Sequence, residues 1–223
     1  MESDAFPADL FLGQDRSFGV GFRHQLVQKW IPLLPNVQQA LVSGADALDY
    51  ACGTGLASIQ MAKAFPHSRF AGNDPYAPAV EIAREHARKA GVADRVQYVV
   101  GDSSKLPRGR FDLVTIFNSA HHFSNPVKTL TECRGALKPK GTCFIADFDL
   151  SLDPAQNMHL IGSIVYPLTT MMCLHDSMAN DGAALGAEFG EQVVRRLAEK
   201  SGFSEFRKLP GSSPAKAFYA LIA

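Results

Sequence analysis

The chain has 223 residues, 46% hydrophobic and 20% charged, a make-up that excludes wholesale disorder and is enough for one α/β domain with a substantial core. Lys plus Arg and Asp plus Glu each number 22, so the formal charge is zero and the basic excess of a nucleic-acid binder is missing. No apolar run approaches the roughly 20 residues that a membrane helix needs, and the acidic start MESDAFPADL does not read as a signal peptide, so a cytoplasmic protein without membrane or nucleic-acid partners is expected. The densest basic run, Arg84 to Lys89, alternates with Glu85 and His86 and reads as a solvated helix face. Cys52, Cys133, Cys143 and Cys173 show no CxxC or CxxH spacing; zinc spacing and disulfides are not expected, and the four read as small core residues.

In chain order, Ser17 to about Ser43 is helical, broken at Pro32 and Pro35. Ala45 to Ala51 is a short apolar strand that ends in an acid and a small residue. Leu56, Ile59, Ala62 and Phe65 recur at helical spacing, and "SRFAGND" is a second strand. Ala77 to Ala90 is a helix stopped by Gly91. "RVQYVV" and "FDLVTIF" are strands three and four. A helix through Val127, Leu130, Arg134 and Leu137 ends before Pro139 and Gly141, and "GTCFIADF" is strand five. A long helical, methionine-rich segment is expected from about Pro154 to Met178, as a core helix or dimer face or as a lid. The stretch Asn180 to Gly190 is glycine-rich enough to hinge it. Glu191 to Lys200 is a further helix, and "GFSEFRKL" and "KAFYALIA" close the chain as a hairpin. Five alternations of strand and helix imply a parallel sheet with helices on both faces and a ligand site beyond the carboxyl ends of the strands.

The suggestive residues sit at those ends. "ALDYACGTG" (Ala47 to Gly55) places an acid before a glycine turn that opens a helix. Gly53 and Gly55 match two glycines of the dinucleotide fingerprint, but Ser58 stands at the third position, and Asp49 would repel a pyrophosphate. S-adenosylmethionine (SAM) has no pyrophosphate and does carry an ammonium group. Asp74, beside Pro75, ends strand two about 20 residues on, where ribose recognition places an acid. Asp102, with the amides of Ser103 and Ser104, ends strand three and is placed to read an adenine edge.

With Asp49, Gly53, Gly55, Asp74 and Asp102 at successive strand ends, the chain from about Ala45 to Ala223 resembles the class I SAM-dependent methyltransferases. That resemblance implies a Rossmann-like α/β fold: a seven-stranded, mostly parallel sheet, helices on both faces, and the last strand antiparallel and inserted between the fifth and sixth. Residues 1–44 would form an N-terminal helical extension and 45–223 the methyltransferase domain, with a lid at about 151–190. The family pattern is close to hhD-x-G-x-G-x-G. Ala51 replaces its first glycine and would narrow the pocket near the SAM carboxylate. The resemblance further implies that Asp49 orders the turn and Gly53 lines the amino-acid tail of SAM. Asp74 would bind ribose, Asp102 with Ser103 would contact adenine, and Asn118 would border the methionine portion. "FNSAHHFSNP" and the stretch from Tyr166 to Gln192 also resemble bacterial methyltransferases whose catalytic domain follows a winged helix; the few residues before Ser17 are not expected to form one.

Methyl transfer rests on positioning and desolvation, and an oxygen or nitrogen acceptor also wants a base. The candidates are His121, His122, Asp147, His175 and Asp176. No metal is expected: Asp147 and Asn118 imitate only part of a carboxylate–Asn set, and a third ligand is not evident. The N-terminal helix, with Phe11 and Phe18 as anchors, would cover the SAM pocket or pair with a second copy. The expected function is therefore methylation of a small, partly apolar acceptor by SAM, with S-adenosylhomocysteine (SAH) as product. The rival readings are a non-catalytic SAM-binding module and a NAD(P)-dependent oxidoreductase; the second needs a Tyr-x-x-x-Lys-like pair that is absent.

Overall fold

The computed structural model describes residues 8–179, 182–186 and 189–223. Asn180, Asp181, Ala187 and Glu188 of the expected hinge lie outside the described residues, as do the side chains of Phe11 and Asp176.

Helix α1 (Ala8–Gly21) runs into a π-helical stretch, Phe22–Trp30, and a 3-10 turn, Ile31–Leu33, before α2 (Pro35–Ser43). The breaks fall at Pro32 and Pro35, where no N–H is available to continue the helix. Then β1 (Asp46–Tyr50), α3 (Leu56–Ala64), β2 (Arg69–Asp74), α4 (Ala77–Ala90), β3 (Val96–Val100), β4 (Phe111–Phe117), α5 (Pro126–Ala136) and β5 (Leu137–Asp147) alternate. After α6 (Leu160–Met171), α7 (Cys173–Ala179) and α8 (Glu191–Lys200), β6 (Glu205–Lys208) and β7 (Ala217–Ile222) end the chain. As expected, α4 stops at Gly91, which is left-handed at φ 71°.

The seven strands form one sheet in the order β3-β2-β1-β4-β5-β7-β6, parallel except for β7, which is antiparallel to both neighbours. This is the doubly wound, Rossmann-like sheet anticipated above, with the last strand inserted between the fifth and sixth. The strands alternate faces with period two. Ala47, Leu113 and Phe144 join the core beneath the N-terminal helices, α3 and α4; Leu48, Val114 and Ile145 join the core beneath α5 and α8. Trp30 packs on Phe22, Phe117 and Phe218 at centroid distances of 5.9, 6.0 and 5.4 Å, and Leu26, Ile31 and Leu41 are fully buried. The N-terminal extension thus shares the core of the sheet.

The helical segment expected after β5 is present but interrupted. Three pieces stand there: a 3-10 turn (Pro154–Asn157), α6 and α7. Asn157 folds back, donating from Nδ2 to Ser151 O (2.8 Å) and Tyr166 Oη (2.9 Å), while its Oδ1 accepts from Ser151 N (2.9 Å). The side chain thereby competes with helix continuation. His159 then caps α6, and Met172, at φ −124° and ψ −67°, separates α6 from α7. Nor is the segment a core helix: Met158, Leu160 and Met171 are 86%, 74% and 75% exposed. Among the described residues no helix is long and apolar enough to cross a membrane.

Candidate active site

The register places Tyr50, Asp74, Val100, Phe117 and Asp147 along one edge of the sheet, together with the start of antiparallel β7, since Asp147 pairs with Ala217. The turn after β1 opens this edge. Ala51, Gly53 and Gly55 all have positive φ (55°, 52° and 77°), which winds the chain tightly into α3. A Cβ at Gly55 would stand 2.4 Å from the hydroxyl of Tyr98, so glycine is required there by packing. A Cβ at Gly53 would meet nothing within 4 Å among the described residues: the turn is open to them on that side. Ala51 packs against the core under α5 and α8.

Three buried polar groups hold the turn. Asp49 Oδ2 accepts from Ser58 N (3.3 Å) near the start of α3, and Asp49 Oδ1 accepts from Thr115 Oγ1 (2.9 Å), its partner across β1 and β4. Burial pushes its carboxyl up to about 6, against those hydrogen bonds. Ser58, at the position where a dinucleotide fold wants glycine, is fully buried, and its hydroxyl meets Gly55 O (3.1 Å) and Tyr98 Oη (3.0 Å). Asp74 Oδ2 accepts from Gly53 N and its Oδ1 from Tyr76 N, both at 2.9 Å, so the acid at the end of β2 is clamped to the mouth of the turn. Burial raises its pKa despite the two amides. Pro75 is exposed between Asp74 and Tyr76.

Further along the edge, Asp102 is exposed and caps the short turn Ser103–Lys105, its Oδ1 accepting from Ser104 N (2.9 Å) and the Ser104 hydroxyl. Those two bonds hold its carboxyl below the usual range. Ser103 is buried and spends its hydroxyl on Glu132. The N-terminal helix reaches over the turn: Thr54 donates its hydroxyl to Asp15, and His86 Nδ1 donates to Thr54 O (3.2 Å).

The other half of the edge gathers His121, Asp147, Asn118 and Lys216. His121 and Asp147 are buried, and His121 Nδ1 donates to Asp147 Oδ1 (2.8 Å), which also accepts from Phe148 N (2.8 Å). Burial works against the Asp147 charge, but His121, that amide and Lys216 outweigh it and hold the carboxyl below its ordinary range. An ionised carboxylate only accepts, so Nδ1 of His121 carries the proton. Asn118 is left-handed (φ 52°), and its Oδ1 accepts from Lys216 Nζ. Phe18 and Trp30 place their rings 5.7 and 5.6 Å from that ammonium, and burial pushes its pKa down to about 8. His122 lies beside His121 (centroids 4.3 Å apart). His175, a catalytic candidate from sequence, is exposed; Cys173, two residues earlier, is the lid residue that approaches the histidines.

Lys216, Cys173 and the Thr54–Asp15 contact were missed from sequence. For Lys216 a signal existed: a residue just before an antiparallel strand inserted beside β5 must stand at the carboxyl edge of the sheet. The other two depend on how the lid and α1 fold back, which no spacing reports.

A family model described as "Methyltransferase domain" matches residues 41–203. The ubiquinone biosynthesis O-methyltransferase of Actinobacillus pleuropneumoniae serotype 7 is 27% identical over 114 residues, 49% of this chain and 48% of that protein. The protein of the same name from Xanthomonas euvesicatoria pv. vesicatoria is 34% identical over 107 residues, 47% and 44% of the two chains. The chain thus matches about half the length of these curated relatives. Among solved structures, an O-methyltransferase family protein from Burkholderia thailandensis superposes with a TM-score of 0.66 at 16% identity, over 98% of this chain and 63% of that one. PigF with SAH gives a TM-score of 0.65 at 20% identity, over 79% and 50%. At such identities the solved structures speak for the fold, and the family model speaks for descent: the chain belongs to the methyltransferase-domain family.

Proposed function

We propose that this protein transfers a methyl group from SAM to a small, partly apolar acceptor. The observation that carries the reading is the clamp at the glycine turn: the Asp74 carboxylate fixed on Gly53 N and Tyr76 N, next to open space above Gly53. The residues present fit the cofactor. Each oxygen of Asp74 has one lone pair engaged and one left for a ribose hydroxyl. Asn73 Oδ1, flanking the turn, and Ser119 Oγ, following β4, are buried with no hydrogen-bond partner among the described residues; the first can accept from a polar ligand and the second can accept or donate. Ala51, Gly53, Gly55 and Asn118 shape the amino-acid end, Asp49 orders the turn, and Pro75, Asp102 and Ser103 line the way to the adenine end. Because the Asp102 cap and the Ser103–Glu132 bond already use those side chains, the adenine is read chiefly by what they leave free, one Asp102 oxygen and the backbone.

SAM, when bound, would supply a methyl on a sulfonium: the acceptor would bond to the methyl carbon as the C–S bond breaks in line and SAH leaves as the thioether. The protein's part is to orient that acceptor and keep water out. Asp147 fixes the tautomer of His121 and leaves Nε2 to receive a hydrogen from an acceptor; His122, Phe148 and Phe189 lie around the ring. An oxygen acceptor is favoured by the O-methyltransferase names of the relatives. Zero net charge fits a small molecule better than a nucleic acid, and four free thiols suit the cytoplasm. Any pairing of two copies is assigned to the lid, where Leu160, Ile164, Leu168 and Met171 expose one apolar strip of α6; the N-terminal helices pack Leu26, Trp30, Ile31 and Leu41 against the sheet and expose Leu12, Val20 and Val42 singly.

The test is Asp74→Ala. Removing charge-assisted hydrogen bonds worth about 1.5–3 kcal/mol should weaken SAH binding roughly 10- to 100-fold with the circular-dichroism spectrum unchanged. Unchanged SAH affinity would remove the ribose assignment. SAH binding without turnover on a panel of phenols, amines, thiols and carbon acids would leave a binding module in place of an enzyme.

A further inference from the structure

Beyond the glycine turn, the structure brings together three groups that lie far apart in the chain. One ring nitrogen from each of His121 and His122 and the Sγ of Cys173 all lie within 4.8 Å of one another. His121 and Cys173 are 2% and 5% exposed. We propose that these three residues form a zinc site with one open coordination position.

The donor set carries the assignment. Two imidazoles and a thiolate suit Zn²⁺, which binds nitrogen at about 2.0–2.1 Å and sulfur at about 2.3 Å, and three protein ligands with a free fourth position are the pattern of reactive rather than structural zinc. The surroundings carry it further. Nδ1 of His121 is engaged by the buried Asp147 carboxylate at 2.8 Å, so Nε2 is the nitrogen left to bind a metal. A carboxylate on the far nitrogen is what orients a zinc-binding imidazole and raises its basicity. Phe148 and Phe189, with centroids 5.3 and 6.3 Å from the His121 ring, add an apolar wall that limits competing water.

Tetrahedral zinc would draw the three donors to about 3.3–3.6 Å apart, by the bond lengths above. The closure falls on the lid. Cys173 opens α7 directly after Met172, whose backbone leaves helical geometry, so a rotation at this joint moves the thiol toward the histidines without disturbing the sheet. On binding, the Cys173 thiol releases its proton to solvent and both imidazoles bind as neutral ligands. The linear spacing gave no hint of this, because the histidines follow β4 and the thiol lies on the lid some 50 residues later. The site stands independently of the SAM reading. If both hold, zinc takes the Nε2 lone pair of His121 in place of a proton, the oxygen or sulfur of the acceptor binds at the open position as its anion, and the acceptor's proton leaves to solvent.

The experiment is titration of the metal-free full-length protein with Co²⁺, followed by competition with Zn²⁺. One cobalt per chain, intense tetrahedral visible bands and a near-ultraviolet thiolate-to-cobalt band are expected, all erased by equimolar zinc. Cys173→Ser should abolish the thiolate band, and Cys52→Ser should leave it intact. His122→Ala should lower zinc affinity at least about tenfold, and Asp147→Asn should lower it about 10- to 100-fold through the loss of His121 orientation. Melting of each metal-free variant reports folding, and a Cys173→Ser chain that fails to fold leaves the His122→Ala and Asp147→Asn affinities to decide. A weak octahedral spectrum like that of free cobalt, or a thiolate band that survives Cys173→Ser, overturns the site.

Discussion

The two glycines of the turn should fail in different ways when each gains a methyl group. Both are left-handed, at φ 52° for Gly53 and 77° for Gly55, so alanine at either incurs about 1–2 kcal/mol of backbone strain, offset by about 0.4–1 kcal/mol from a less flexible unfolded chain. At Gly53 nothing else is added, because the new Cβ meets open space. Gly53→Ala should therefore cost about 1 kcal/mol, or roughly 2–4 °C in Tm. At Gly55 the new Cβ would lie 2.4–2.8 Å from the hydroxyl and ring of Tyr98. That ring cannot swing away easily: it is 6% exposed, and its hydroxyl is bonded to Ser58 and Gly55 O. Overpacking of this kind adds about 1–3 kcal/mol, so Gly55→Ala should cost about 2–4 kcal/mol and lower Tm by roughly 4–16 °C. Ligand binding should show the reverse. The methyl of Gly53→Ala enters the space assigned to the cofactor and should weaken SAH binding at least about tenfold, about 1.4 kcal/mol. Thermal unfolding and calorimetric SAH titration of the two variants separate the effects. A Gly53→Ala protein that binds SAH as the parent does would refute the placement of the cofactor above that residue.

Ala51 stands in left-handed geometry without being glycine, so Ala51→Gly should relieve strain and raise stability by about 0.5–1 kcal/mol in urea unfolding. A loss would mean that the methyl's packing on the α5–α8 core outweighs the strain. Asp49 supplies a pH prediction. Burial raises its folded pKa to about 6 from 3.8, so the native state binds a proton more readily than the unfolded chain between those values. Its contribution is most favourable below about pH 4 and is lost as pH rises through 6, on the order of 3 kcal/mol in all. Asp49→Asn cannot ionise, so its stability relative to the parent should climb between pH 4 and pH 7; a difference flat across that range would contradict a buried, ionising Asp49.

What was legible in the sequence is what short-range chemistry determines. The apolar strands, the Gly91 stop of α4 and the glycine turn each depend on a few neighbouring residues, and each stands where local reasoning put it. The acid at the end of β2 was also legible, because strand, turn and spacing together leave one position for it. Asp102 shows the limit: its place at the end of β3 was right, but the carboxylate caps the following turn, a use that depends on Ser104 as much as on any ligand. The helical character of the lid was legible but its breaks were not, because apolar periodicity cannot see Asn157 folding back on Ser151 and Tyr166. The cluster at His121 was half legible. Two histidines after β4 are visible in the chain, whereas the carboxylate and the thiol that give them meaning come from β5 and the lid, and only tertiary packing sets them side by side.

The most direct measurement is calorimetric titration of the purified protein with SAM, SAH and NADH. Saturable binding of SAM and SAH at one per chain, with no heat from NADH, is the predicted result. Binding of NADH without SAM or SAH would contradict it and return the glycine turn to the dinucleotide enzymes.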